Sequence, residues 1–271
     1  MKPISPTAAL LALALNSAAG AQTGSLGVIL PAPGPVEVKA FVLVEQGDLP
    51  IVLSAPHGGE VAMAGIPERQ SGANDLDENT LQLALAIQKE FTTLTGGKKA
   101  YLVAGLVSRR YVDFNRAAGR AYESDAVAPV YEAYHAALNS AVKEAKDRVG
   151  TKALLIDIHG QSADVTKVYR GTQDGQTADL ALVCLSTPAG LIATMEQKGL
   201  PVHPGTASGW EPADYNGGYI VRTSGLKGRG GINAVQFEFG HDFRGDEATT
   251  AKAARAFAEA LVAYLKTLQS F

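Results

Sequence analysis

Several features are scarce in this chain, and each absence removes a class of protein. There is one cysteine in 271 residues, Cys184, so no internal disulfide can form. It lies in the apolar run LALVCLS and reads as a core residue, not a nucleophile. Neither sign of charge dominates: 24 Lys and Arg against 27 Asp and Glu leave a net charge of -3. That balance gives no electrostatic ground for a nucleic acid or an anionic membrane as partner. No low-complexity run or internal repeat divides the chain. The apolar run Ala8 to Leu15 near the N-terminus is too short to span a bilayer. A Gly-x-Ser-x-Gly nucleophile elbow is also missing, which removes the serine hydrolases even though His57-Gly58-Gly59 is compatible with an oxyanion turn.

What is present begins with a leader. MKPISPTAALLALALNSAAGAQTG combines one lysine, a short apolar stretch and the small residues Ala19-Gly20-Ala21, the pattern of a secretory signal peptide cleaved after Ala21. With no cysteine at that point, a bacterial lipoprotein is not expected. Residues 22–36 are rich in Gly and Pro and read as an N-terminal arm. Residues 37–271 then form a single domain, in a chain 46% hydrophobic and 19% charged, enough to bury a sizeable core.

Short apolar runs predict strands at 38–45, 51–55, 101–107, 153–158, 180–185 and 234–239. Their near-continuous apolarity suits strands buried on both faces. Helices are expected between them. Residues 77–94 place Leu83, Ile87, Phe91 and Leu94 on one face, with Asp77 or Asn79 as N-cap and Gly96 beyond the end. Residues 129–148 open on Pro129 and align Tyr131, His135, Leu138 and Val142; residues 246–268 align Ala254, Phe257, Leu261, Leu265 and Leu268. Strands alternating with helices predict a three-layer αβα sandwich whose site lies at strand ends.

Of five histidines, His135 sits on a helix face and His203 in a Pro/Gly loop, where structural or surface roles suffice. His57 and His159 differ, because each follows directly from a buried strand (IVLSAPH and ALLIDIH). A catalytic zinc takes three protein ligands and leaves one position open. His57 and Glu60, separated by Gly58 and Gly59, are expected to chelate one zinc ion, with His159 as the third ligand. Asp157, on the same strand face as His159, is suited to orient a ligand imidazole. RRYVDFNRAAGR, residues 109–120, interleaves Arg109, Arg110, Asn115, Arg116 and Arg120 with apolar residues. Asn115 and Arg116 are expected to clamp a substrate carboxylate by paired hydrogen bonds, with Arg110 or Arg222 as a second positive contact. Glu238, inside the apolar strand INAVQFEFG, is suited to act as general base on water.

The order His57-x-x-Glu60, Asp113-Phe-Asn115-Arg116, Asp157-Ile-His159 and Glu238-Phe-Gly240 resembles the zinc carboxypeptidase superfamily. It resembles above all the branches holding aspartoacylase, succinylglutamate desuccinylase and N-formylglutamate amidohydrolase. LSAPHGG, RRYVDFNR and YNGGYIVRTSG (Tyr215 to Gly225) are most similar to the N-formylglutamate amidohydrolase branch, over roughly residues 50–245. The resemblance implies a mixed, mostly parallel sheet with helices on both faces, of the phosphorylase/hydrolase-like kind. It also implies one Zn2+ held by His57, Glu60 and His159, with Asp77 in NDLDENT competing for the place of Glu60. Asn115 and Arg116 would bind the substrate carboxylate, and Glu238 would activate water. The expected substrate is small and carboxylate-bearing: an N-acyl amino acid or a short acidic peptide. With the leader, this points to an amidase acting outside the cytoplasm. The alternatives are a zinc carboxypeptidase or poly-glutamate hydrolase, and a non-catalytic exported binding protein for an acidic ligand.

Overall fold

All five residues of strand Ile51–Ala55 are buried, as a strand covered by helices on both faces requires. The computed structural model describes residues 38–185 and 190–269; the expected leader and arm lie outside the described residues. The strands are β1 (Val42–Glu45), β2 (Ile51–Ala55), β3 (Tyr101–Gly105), β4 (Leu154–Gly160), β5 (Val168–Gly171), β6 (Val202–His203) and β7 (Asn233–Phe239). They form one sheet in the order β1-β3-β2-β4-β7-β5-β6. β1–β3 and β5–β7 are antiparallel, and the other four pairings are parallel. The sheet is therefore mixed and mostly parallel.

The helices are α1 (Thr80–Leu94), α2 (Ala118–Ala121), α3 (Ala128–Val149), α4 (Leu180–Val183), α5 (Leu191–Gln197), α6 (Tyr219–Ser224) and α7 (Glu247–Gln269). Alternation along each strand divides the core in two. On one face Leu53, Ile156, Ile158, Val235 and Phe237 pack against Leu83, Ile87 and Phe91 of α1 and Phe257 and Leu261 of α7. On the other, Val52, Val103, Leu155 and Ala234 meet Val130, Tyr134, Leu138 and Val142 of α3, with Ile220 and Val221 of α6. Each such side chain contributes about 1.5–3 kcal/mol by leaving water. The αβα sandwich expected from the sequence is the fold observed.

Two strand expectations are corrected. Residues 38–45 begin as a short 3-10 turn, Val38–Ala40, before β1. The run 180–185 is helical at Leu180–Val183, because the Asp179 carboxylate accepts the Ala181 N–H and caps the turn. An apolar run of that length fits a buried turn of helix as well as a strand. β5 and β6, which no apolar run predicted, are strands instead.

The order of strands in the sheet reverses its chain direction between β2 and β4. Loops leaving the C-terminal ends of these two strands diverge there and open a crevice, the place where open α/β sheets bind ligands.

Candidate metal centre

His57 follows β2 in a turn that needs both of its glycines. A Cβ on Gly58 would run into the backbone of Leu81 at the start of α1, and one on Gly59 into the backbone of Leu106. The chain then pairs with the segment after β3: Val61 N donates to Leu106 O at 2.8 Å and Ser108 N to Val61 O at 2.9 Å. This extended run turns Glu60 out to solvent. The expected pairing of Glu60 with His57 is thus corrected: the glycines serve close backbone approach, not chelation.

Asp77 takes the place expected of Glu60. Its backbone N–H donates to His57 O at 3.2 Å, and its carbonyl accepts the Thr80 hydroxyl at 2.7 Å, fixing it just before α1. The N-cap position of that helix is Asn79, in a left-handed conformation (φ 59°). The Asp77 side chain is therefore free to turn inward. Its Oδ2 lies 3.4 Å from His57 Nδ1 and 3.1 Å from His159 Nδ1. Among the described residues, His57, Asp77 and His159 form a buried group whose ligand atoms all lie within 4.8 Å of one another.

The far nitrogen of each imidazole is held by a second carboxylate. His57 Nε2 is 2.7 Å from Asp113 Oδ1, and His159 Nε2 is 2.9 Å from Asp157 Oδ2. Asp157 is in turn fixed by the Ser54 hydroxyl at 2.7 Å, and Asp113 by Arg109 and the Asn115 N–H. When each ring is neutral and donates Nε2–H to its carboxylate, its Nδ1 lone pair faces Asp77, the tautomer a metal requires. The donor set, two imidazoles and one carboxylate, fits a catalytic zinc site. Asp157 stands where the orienting role expected of it requires, against His159 Nε2. Asp113 stands in the same relation to His57 and was missed, although it lies in the VDFN motif; an acid among apolar residues, four positions after Arg109, was the available signal.

Charge in this group is strongly coupled. Burial raises the Asp77 carboxyl, but the His57 and His159 rings outweigh it and hold it well below its usual value. Asp113 is likewise lowered: His57 and Arg109 overcome the effect of burial. Burial lowers His159, yet Asp157 and Asp77 together raise it well above an ordinary histidine. Glu238 behaves differently. Burial pushes its carboxyl up to about 7, with the imidazoles only partly offsetting the shift. Its Oε1 accepts a hydrogen bond from Gln236 at 2.7 Å, and no ion pair to a Lys or Arg is found for it among the described residues.

These residues floor a cavity of about 520 Å³, walled by the 213–218 segment and by Arg109, Arg116, Arg120 and Arg222. Arg109 is committed to Asp113 (3.0 Å) and Asp77 (3.4 Å). Among the described residues the Arg116 guanidinium donates only to the Asn115 carbonyl. Arg222 reaches the cavity from α6, and Arg120, not selected from the sequence, from α2. Arg110 does not line the cavity: the turn Tyr111 N to Ser108 O sends it outward, where it meets Glu68 at 3.6 Å. Asn115 is placed at the site, but its side chain is already engaged. Oδ1 accepts the Ile220 N–H at 2.8 Å and Nδ2 donates to Gln236 at 3.2 Å. It secures the start of α6, and Gly218 is required there because a Cβ would collide with the Asn115 amide.

Fold and site together define a three-layer α/β protein with a histidine–carboxylate group at its strand ends that could hold a metal ion. Its fold is that of N-formylglutamate amidohydrolase from Ralstonia eutropha: TM-score 0.61 at 19% identity, covering 85% of this chain and 98% of that one. A gene product of Agrobacterium tumefaciens is similar at TM-score 0.59 and 16% identity, covering 86% and 97%. The fold implied by the sequence resemblance is thus found in solved structures. No family model matches the chain, and no curated protein does. None of the described helices is long and apolar enough to cross a membrane.

Proposed function

We propose that this chain is a zinc-dependent amidohydrolase that cleaves the amide of an N-acyl amino acid or a short carboxylate-bearing peptide. The observation that carries this is the convergence of His57 Nδ1, His159 Nδ1 and Asp77 Oδ2 beside a buried carboxyl, Glu238, in an arginine-walled cavity. Zinc in that position supplies Lewis acidity toward a carbonyl oxygen and acidifies water. The likeness of fold to an N-formylglutamate amidohydrolase supports an amide as the bond broken.

The chain's own residues do the rest. Asp113 and Asp157 hold the two imidazoles in one tautomer and orientation. Glu238, pushed up to about 7 by burial, suits both halves of a proton transfer near neutral pH. Ionised, it takes the proton of the attacking water; protonated, it returns that proton to the leaving amine. Arg116, free of any carboxylate partner among the described residues, binds the substrate carboxylate, with Arg120 and Arg222 at the rim. The clamp role expected of Asn115 reduces to holding that wall. The leader peptide supports a site of action outside the cytoplasm.

The test is a metal assay joined to a substrate panel. Purified chain is expected to hold about one zinc, to hydrolyse N-acyl amino acids bearing a free carboxylate, and to lose that activity to a chelator. Full metal occupancy without turnover of N-acyl amino acids or C-terminally varied peptides would favour a binding protein instead.

A further inference from the structure

Four neighbouring strands carry one transverse row of side chains. His159 of β4 is the register partner of Glu238 of β7, Glu238 of Tyr169 of β5, and Tyr169 of His203 of β6. Register partners project to the same face of a sheet, and adjacent strands lie about 4.8 Å apart. Along this row a metal-site imidazole is followed by the buried carboxyl, then by two rings. Tyr215 lies on Tyr169 with ring centroids 5.0 Å apart and planes 15° apart, and His203 meets Tyr169 edge-on at 5.7 Å and 73°.

These rings do not belong to the core. Tyr169 and Tyr215 are half-exposed and His203 is exposed. Tyr215 lines the same cavity as Glu238, and the Glu238 charge adds to burial in raising its phenol.

Part of the cationic wall lies on the other side of the metal group. Arg109, Arg116 and Arg120 follow β3, which flanks β2 on the side away from β4 and β7. Arg222 does not belong to that side: it sits on α6, which packs over β7 and β4. A substrate whose carboxylate meets Arg116, and whose scissile amide lies at His57, His159 and Glu238, sends its acyl group along β7, β5 and β6. That direction leads onto the tyrosine pair. A formyl group ends before it gets there, whereas a flat ring reaches it and can stack face to face or edge to face.

We propose that Tyr215 and Tyr169 form the acyl-group subsite of this chain, which therefore prefers a planar or extended apolar acyl group, such as an aroyl or arylacetyl, over formyl. The inference rests on the substrate orientation proposed above, and its test is separated from turnover. Zinc-loaded chain carrying Glu238→Gln is titrated calorimetrically with N-benzoyl-L-glutamate and N-formyl-L-glutamate. The benzoyl ligand is expected to bind roughly tenfold tighter, the scale of one good ring-on-ring contact with its buried area. Tyr215→Ala and Tyr169→Ala should each bring the ratio of the two affinities toward one, while Tyr215→Phe and Tyr169→Phe keep it. A ratio near one before substitution, or one that neither alanine changes, overturns the subsite. Turnover is read separately on the native chain: benzoyl preference with tyrosine dependence but no hydrolysis supports the subsite and contradicts the amidohydrolase function.

Discussion

His159 and Glu238 are direct partners in the β4–β7 ladder, so an imidazole of the candidate metal centre and the buried carboxyl share one face of the sheet. The consequence is kinetic. Glu238→Gln keeps the shape and the Gln236 contact but cannot accept a proton. It should retain zinc and bind substrate nearly normally while kcat falls by ~10²-fold or more. Glu238 must be ionised to act on water, so kcat/KM should fall as pH drops through its pKa. Burial, partly offset by the two imidazoles, sets that value at about 7, and a cation alongside moves it lower by favouring the charged form. The acid limb should lie at or below about pH 7 and disappear from the residual activity of Glu238→Gln. An unchanged acid limb in that variant assigns the proton transfer elsewhere.

The carboxylates behind the imidazoles give a second prediction. Asp113→Asn or Asp157→Asn leaves the ring nitrogens in place but weakens the hold on their tautomer and orientation. Zinc affinity is expected to drop about 10- to 100-fold in each, measured by competition with a chromophoric chelator. Affinities equal to that of the native chain would show that neither contact tunes the site.

Arg116→Ala should discriminate between substrates. Charge-assisted hydrogen bonds contribute about 1.5–3 kcal/mol, so kcat/KM should fall on the order of 10- to 150-fold on substrates with a free carboxylate. Esters or amides of the same substrates never made the contact and should change little. Equal losses on charged and blocked substrates would make Arg116 structural.

His135 links pH to stability through the opposite face of the same wall. It is packed among Tyr131, Tyr134 and Tyr219 and bonded to the Phe114 carbonyl, and burial lowers its pKa from 6.5 to about 4. Between those values the unfolded chain holds a proton that the folded chain does not. Its contribution is therefore present above pH 6.5 and lost as pH falls toward 4. Relative to His135→Gln, the native chain should lose on the order of 3 kcal/mol across that window. Taking the difference between the two proteins cancels the titration of Glu238 and the metal-site groups. Parallel stability curves would contradict a buried neutral imidazole.

Much of the frame was legible in the chain. Strands 51–55 and 234–239, and the three long helices, carry enough apolar residues in one period to announce themselves. β5 and β6 are four and two residues long, and VYRG carries no apolar alternation, so they become strands only by pairing with β7 and each other. His57, His159 and Asp157 were visible because a buried strand delivers each one. The choice between Glu60 and Asp77 was not. It depends on where the backbone goes after Gly59, and that is set by pairing with Leu106 and Ser108 in the segment beyond β3, far off in the chain. Arg110 failed for a similar reason: adjacent arginines point to opposite sides of a turn, and only Arg109 faces Asp113.

The most direct test of the account is zinc content measured in parallel on the native chain, Asp77→Asn and Glu60→Gln after dialysis against a weak chelator. The native chain and Glu60→Gln should each retain about one zinc, and Asp77→Asn should lose most of it while remaining folded. Full occupancy in Asp77→Asn, with loss in Glu60→Gln, would contradict the centre formed by His57, Asp77 and His159.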